Sequence, residues 1–214
     1  MTDSILITRP ENDEATVYLS KWSENIIKEA KSKRLKVIDL RRNKANRKRI
    51  IGILGKVNPR FVMFNGHGSE NCVRGHNMEI IIGVGDEEVL DSKIIFSRAC
   101  KSAKILGQTA IARGTIAYLG YEEDFWFRYN PQKVFRPLED KTAELFLEPS
   151  NHLGIAWLKG HTTGLSNNKS KEHFRKNIEK LLIEGRLAED YDCIRYLYWD
   201  MIHQVCLGNQ NAVV

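Results

Sequence analysis

Apolar residues along the chain fall into short continuous runs separated by stretches with helical spacing. The runs cover residues 5–7, 37–38, 61–64, 94–96 and 116–119. After the first run, apolar residues recur every three or four positions from Asn12 to Ala30, as in an amphipathic helix. Runs without polar alternation are typical of strands buried on both faces, and helical crossovers between them indicate a parallel sheet. The pattern therefore predicts an α/β fold with helices on both sides of a mostly parallel sheet.

The spacing also predicts the remaining elements. Helices are expected at 44–57 and 102–112, and a small hairpin is expected within 65–93. From about 138 to 207 the pattern is helical and includes Cys193 and Cys206, which we expect in the core. The chain of 214 residues contains no Pro/Gly/Ser-rich linker. We therefore expect a single domain over 1–214, with a sheet core over about 1–125 and a helical C-terminal third.

The net charge of +6 and the pI of about 9.1 invite a nucleic-acid interpretation, but the excess is local. Residues 31–49 hold ten of the 33 Lys and Arg and one of the 27 acids, a charge of +9 against −3 for the rest. No aromatic residue is interleaved there to stack on bases. A solvated basic face is favoured over a phosphate-binding patch, and nucleic acid is not an expected partner.

Other features of the composition bear on the compartment and on metals. No run of about 18 apolar residues is present and the start lacks the pattern of a secretory signal, so we expect a cytoplasmic protein without membrane association. The four cysteines are scattered and form no CxxC pair, which argues against a disulfide framework or a zinc site. We therefore predict no metal site.

Candidate chemistry lies where two predicted strands end. One is followed by residues 65–69, which read Asn-Gly-His-Gly-Ser, and the next by residues 97–102, which read Ser-Arg-Ala-Cys-Lys-Ser. If the strands are neighbours, about 4.8 Å apart, His67 and Cys100 leave the same edge of the sheet. A thiolate can then attack a carbonyl carbon while the imidazole handles protons. The pair predicts a Cys/His dyad.

The surrounding residues suit the same chemistry. A helix over 102–112 would begin just past Cys100, and its N-terminal partial charge would favour the thiolate. Gly68 has no side chain, so its backbone N–H could act with that of Cys100 as an oxyanion hole. Each motif alone has a simpler interpretation, since a cysteine at a strand end is more often a small core residue. A dinucleotide fingerprint from Gly66 fails because Asn71 stands where its third glycine belongs.

These motifs support a resemblance to a known superfamily. Residues 61–69 (FVMFNGHGS), 94–107 (IIFSRACKSAKILG) and 116–121 (IAYLGY) resemble the caspase-like cysteine peptidases, which include metacaspases, legumains, gingipains, separases and CHAT-type proteases. The chain looks most like the small bacterial members, some of which act in defence against phage or cleave gasdermin-like substrates. The resemblance implies a caspase-like three-layer α/β/α fold in which His67 and Cys100 form the dyad and Gly68 contributes an oxyanion donor.

The chain departs from caspases, which have a Gln-Ala-Cys motif with the histidine about 50 residues upstream. Preference for aspartate before the scissile bond is therefore not implied. Glu122, Glu123 and Asp124 could supply an acid for a basic substrate side chain, as in relatives that cleave after Arg or Lys, and Trp126 could wall that pocket. Arg98 is expected on the same face as the cysteine, where it could bind an acidic group instead. The two interpretations conflict.

The sequence thus favours a cytoplasmic cysteine endopeptidase that works through an acyl-enzyme, with a protein or peptide substrate. No cofactor is expected, although some relatives need calcium. The resemblance also implies a sensor or gasdermin-like partner and a role in bacterial defence signalling. The alternative is a non-catalytic doubly wound module that uses the same strand ends, or the segment 31–49, to bind a partner protein or nucleic acid.

Overall fold

The five apolar runs of the sequence form five parallel strands of the central sheet. The computed structural model describes residues 4–184 and 188–213. The strands are β1 (Ser4–Arg9), β2 (Lys36–Arg41), β3 (Phe61–Asn65), β7 (Ile94–Arg98) and β8 (Ala117–Tyr121), and their pairings are all parallel. The α/β prediction is confirmed, because buried strands of this kind need crossover segments on the faces of the sheet.

The sheet has the order β2-β1-β3-β7-β8-β9, where β9 is Gln204–Gly208. The predicted neighbours β3 and β7 pair in register from Phe61 opposite Ile94 to Asn65 opposite Arg98. The segments that follow these two strands therefore leave the sheet at the same edge. In an open parallel sheet this edge is where ligands bind.

Helices cover both faces of the sheet. Their bounds are α1 (Glu14–Ser32), α2 (Arg47–Lys56), α3 (Leu106–Ala112), α4 (Lys141–Leu158), α5 (Thr163–Glu184) and α6 (Ala188–His203). Alternate residues of β3 point to opposite layers: Val62 and Phe64 pack with α2 and α3, whereas Phe61 and Met63 pack with α1 and α4. The three-layer α/β/α arrangement follows from this alternation.

The segment that connects β3 to β7 contains a second, antiparallel sheet. Its strands are β4 (Gly68–Ser69), β5 (Cys72–Arg74) and β6 (Ile80–Gly83), in the order β4-β5-β6. The predicted hairpin corresponds to β5 and β6. Strand β4 extends it and places the residue after His67 in a ladder.

The C-terminal third is helical except at its end. Cys193 is buried in α6, as predicted, but Cys206 lies in β9, which pairs antiparallel with β8. The helical prediction for the last residues before 207 is therefore wrong. Val205 and Leu207 pack in the layer that contains α2 and α3, whereas Cys206 packs in the opposite layer. Such alternation is typical of a strand.

The basic segment 31–49 surrounds the edge strand β2. Three of its arginines are paired: Arg41 and Arg42 each contact Glu11 at 2.6 Å, and Arg47 contacts Asp86 at 2.7 Å. The other basic residues of the segment are mostly exposed. Among the described residues, we find no helix that has both the length and the apolar character required to cross a membrane.

Candidate active site

His67 follows the end of β3, where Gly66 turns the chain out of the sheet. Gly66 has φ = +150°, and a Cβ at this position would lie 2.0 Å from the carbonyl oxygen of Arg74, so only glycine fits. The preceding Asn65 is fixed by its side-chain amide, which donates to the carbonyl oxygen of Thr8 at 2.6 Å. The strand end that carries His67 is therefore held on both sides of the turn.

The ring of His67 contacts a carboxylate that the sequence analysis missed. His67 Nε2 lies 2.6 Å from Oδ2 of Asp13, and the two side chains are 39% and 44% exposed. Asp13 is also the N-cap of α1, where its Oδ1 accepts from the backbone N–H of Thr16 at 2.8 Å. Burial raises the pKa of Asp13, but the bonds from Thr16 and His67 outweigh it and hold that pKa below its ordinary value.

This contact defines how the imidazole could act. An ionised Asp13 accepts a hydrogen bond from Nε2–H, which fixes the tautomer and would stabilise a protonated ring. Proton exchange with a thiol or substrate would then use Nδ1. The sequence contains one signal at Asp13, the capping pattern Asp-x-x-Thr before α1. This pattern explains the residue as a helix cap, so it does not by itself indicate an active site.

Cys100 follows β7, but no helix begins beside it. Residues 100–105 form a turn in which Lys101 has φ = 57°, and α3 starts only at Leu106. The prediction of a helix over 102–112 is therefore wrong at its start. The stabilisation of a thiolate that was expected from its N-terminus is absent, because such an effect fades within one turn.

The thiol of Cys100 lies in an apolar, partly buried position. Its Sγ donates to the carbonyl oxygen of Phe125 at 3.8 Å. Burial, together with the charges of Asp124 and Asp200, raises the pKa of the thiol to about 11. The resting thiol is therefore protonated at neutral pH, contrary to the expectation of a readily ionised group.

Gly68 lies against the backbone of Cys100. A Cβ on Gly68 would lie 2.5 Å from the carbonyl oxygen and 3.0 Å from the nitrogen of Cys100, and 2.9 Å from the side chain of Ala99. Any side chain at position 68 would force the two segments apart. The close approach fits the predicted pair of backbone donors.

His67 and Cys100 both line one cavity of about 220 Å³ at this edge of the sheet. Its other lining residues are mostly apolar and include four aromatic residues, Phe125, Trp126, Phe127 and Tyr129, together with Ala15 and Leu19 of α1. The structure thus brings the imidazole, the thiol and the Gly68 backbone together. Trp126 is among the residues that line the cavity.

Arg98 does not have the predicted orientation toward substrate. Its side chain is fully buried and donates to the side-chain oxygens of Asn65 (3.0 Å), Asn151 (2.9 Å) and Ser23 (2.9 Å), and to the carbonyl oxygen of Leu19 (2.9 Å). Although it reaches the cavity wall, its polar groups are bound inside the protein. We correct its role from substrate binding to joining the ends of β3 and β7 and the helices packed on them.

The acidic loop residues do not line the cavity. Glu123 contacts Lys104 at 3.4 Å, and Asp124 contacts Lys101 at 3.4 Å. Glu122 instead donates its backbone N–H to the carbonyl oxygen of His203. The interpretation of these three acids as a pocket for a basic side chain is therefore wrong for this structure, because their carboxylates are absent from its walls.

A second carboxyl group that the sequence analysis missed lies behind the aromatic wall. Asp200 of α6 is 1% exposed, and its Oδ1 accepts from the backbone N–H of Trp126 at 2.9 Å. Its Oδ2 is buried without a partner in the described structure. Burial raises the pKa of Asp200 well above its ordinary value. Through its bond to Trp126, the residue holds the aromatic wall in place.

No metal centre accompanies these groups. Among the described residues, no cluster of three or more His, Cys, Asp or Glu side chains has the arrangement needed to hold a metal ion.

Comparison with known proteins identifies the fold. No protein-family model and no curated protein match the sequence. Solved structures do match: gingipain R, an Arg-specific cysteine proteinase, superposes with a TM-score of 0.65 at 13% identity over 99% of this chain and 47% of its own. The chain has a caspase-like fold. A complex of the pro- and mature domains of RgpB from Porphyromonas gingivalis gives the same score and identity, over 99% of this chain and 48% of that chain. This caspase-like chain thus spans about half the length of these structures.

Proposed function

We propose that the chain is a cysteine endopeptidase that hydrolyses peptide bonds of a protein or peptide substrate. The observation that carries the proposal is the shared cavity of His67 and Cys100, at the carboxyl ends of two paired strands, with Asp13 bonded to the ring. The likeness of the fold to that of a cysteine proteinase supports the same class. The resemblance to small bacterial members further supports a cytoplasmic role in defence against phage, with a sensor or gasdermin-like partner.

The reaction would begin with transfer of a proton from Cys100 to His67. Because the pKa of the thiol is raised to about 11, the thiolate forms as the substrate binds, when Sγ–H passes its proton to Nδ1 of His67. Sγ attacks the scissile carbonyl carbon, and the electron pair of the C=O bond moves to oxygen. The backbone N–H groups of Gly68 and Cys100 hold this oxyanion.

The second half of the reaction regenerates the thiol. The tetrahedral intermediate collapses, the C–N bond breaks, and the amine leaves with the proton from Nδ1 of His67. A water molecule then gives a proton to His67 and attacks the thioester. The acid product leaves, and Sγ recovers its proton from the ring.

Cleavage of a peptide library by the wild type and by Cys100→Ala tests the proposal. New peptide termini, read by mass spectrometry, are expected from the wild type and absent with Cys100→Ala. Cys206→Ala is the matched control, because Cys206 is a partly buried thiol in β9 that does not line the cavity, and it should cleave like the wild type.

The same experiment distinguishes the proposed peptidase from the alternative, a non-catalytic binding module. If the wild type and Cys100→Ala give the same peptides, the proposal is wrong. The non-catalytic binding module then becomes the better interpretation, and both proteins should bind a partner equally well.

A further inference from the structure

The cavity beside Cys100 has the dimensions of one side chain. Its volume is about 220 Å³, whereas clefts for whole small ligands typically measure about 300–1,000 Å³. It lies next to both His67 and Cys100, so the substrate group nearest to it would belong to the residue whose carbonyl is attacked. The chemistry of its walls should therefore select that residue.

The walls offer apolar surface and little charge. Four aromatic residues line the cavity, Phe125, Trp126, Phe127 and Tyr129, together with Ala15 and Leu19, which are also apolar. In the described part of the chain no Asp or Glu lines the cavity. The hydroxyl of Tyr129 is already bound to Glu14 at 2.5 Å. The other neighbouring carboxylate, Asp13, is bound to His67 at 2.6 Å. A charged substrate group would therefore lose its hydration here and meet only groups that already have partners.

Two further charged or acidic groups beside the cavity, Arg98 and Asp200, do not change this picture. The guanidinium of Arg98 is fully buried and donates four hydrogen bonds inside the protein. Asp200 lies behind the wall, is 1% exposed, and has one carboxyl oxygen bound to the backbone N–H of Trp126. A basic side chain would meet only carboxylates that already have partners: Asp13 on His67, and Glu14 on Tyr129. An acidic side chain would meet a guanidinium whose hydrogen bonds are already made inside the protein.

The aromatic wall is a preformed surface. Trp126 is held by Asp200 and packs on Tyr196 with ring centroids 5.5 Å apart. Phe125 packs on Tyr121 at 4.6 Å, and Phe127 packs on Tyr18 at 5.9 Å. A wall fixed before binding costs little ordering entropy when a substrate side chain enters.

We infer that this cavity selects a bulky apolar side chain, such as Phe, Leu or Met, at the residue whose carbonyl Cys100 attacks. The inference rests on the proposed peptidase function and specifies its substrate class. Burial of an apolar side chain stabilises binding in proportion to the apolar surface removed from water, and in this cavity the charged ends of Arg, Lys, Asp and Glu would offset that gain.

Covalent probes test the inference independently of turnover. The probes are peptidyl ketones with a leaving group, identical except for Phe, Leu, Ala, Arg or Asp next to the ketone. Their rates of attachment to Cys100 are measured by intact mass and peptide mapping. We expect the Phe or Leu probe to label Cys100 at least about tenfold faster than the Arg and Asp probes.

Two variants of Ala15 should redirect the preference. Ala15→Phe fills the cavity from α1 and should make the Ala probe faster than the Phe probe. Ala15→Glu adds a carboxylate and should raise labelling by the Arg probe at least about tenfold. Both lie in the first turn of a helix at a partly exposed position, and thermal melting verifies their folding. Val17→Glu adds the same charge on the same helix outside the cavity and should leave all ratios unchanged.

The outcomes distinguish the two proposals. Labelling of Cys100 with a preference for the Arg or Asp probe, or with no preference, overturns the apolar specificity and leaves the peptidase function standing. Failure of every probe to label Cys100 in the folded wild type, while unfolded protein is labelled, overturns both. An equal response of Ala15→Glu and Val17→Glu would also contradict the assignment of this cavity.

Discussion

His67 lies on the open side of the candidate site and Cys100 on its closed side. The ring is 39% exposed and contacts the carboxylate of Asp13, whereas the thiol is bonded to the carbonyl of Phe125 under the aromatic loop. The open side can stabilise a positive charge, and the closed side resists a negative one. The thiolate–imidazolium pair that the proposed reaction requires would therefore have to form as the substrate binds.

The largest effect on activity is expected from substituting His67, on the open side of the site. His67→Ala should lower kcat/KM by about 10³-fold, equivalent to about 4 kcal/mol, because general acid and base catalysis is lost. Steady-state kinetics on a cleaved peptide measures this change. His161→Ala, at a partly exposed position after α4, should retain full activity. Equal activity of the two variants would show that His67 is not the base.

Substituting Arg98, which links the ends of β3 and β7, should lower the stability of the protein. Arg98 donates to Asn65, and these residues lie two positions before Cys100 and His67. Arg98→Met leaves several buried acceptors without donors, so we expect the free energy of unfolding to fall by about 3 kcal/mol. Urea denaturation measures it. An unchanged midpoint would mean that the strand ends are held by other contacts.

Replacing the carboxylate of Asp13 by a neutral group should lower activity without destabilising the protein. Asp13→Asn should lower kcat by about 10²-fold, because the protonated ring loses its carboxylate. Asparagine caps helices as well as aspartate, so the melting temperature should hardly change. Asp13→Ala should show the same loss of kcat and, in addition, about 1 kcal/mol lower stability. Loss of stability alone in both variants would identify Asp13 as a cap only.

The smallest expected effect is on the rate at which the Cys100 thiol is alkylated in the absence of substrate. Because its pKa is raised to about 11, the thiolate is scarce below that pH and increases as pH rises toward it. Alkylation of Cys100 by iodoacetamide at pH 7.5 should be at least about tenfold slower than in the unfolded protein, and should rise steeply above pH 9. Peptide mapping by mass spectrometry separates it from the other thiols. A midpoint below pH 7 would contradict the buried environment.

The main features of the fold and the two central residues could be predicted because they depend on local patterns. Apolar runs revealed β3 and β7, and the residues that follow parallel neighbours meet at one edge of the sheet. His67 and Cys100 were found in this way. Strand β9 was missed because five residues at the end of a helical pattern are too short for their alternation to be distinguished.

The remaining parts of the site depend on contacts between distant segments. Asp13 is 54 residues from His67, and Asp200 is 74 residues from Trp126. No spacing rule joins such pairs, since the sheet and the packing of α6 bring them together. Strand alternation correctly placed Arg98 near the site, but its inward hydrogen bonds depend on α1 and α4.

In the proposed mechanism, position 13 has to meet two requirements at once. Capping of α1 is met by Asp, Asn, Ser or Thr, whereas a charge for the ring is met by Asp or Glu. Aspartate alone belongs to both sets. A saturation library at this position should therefore contain several residues among folded variants and one among active variants, which would make the start of α1 as intolerant of change as a catalytic residue.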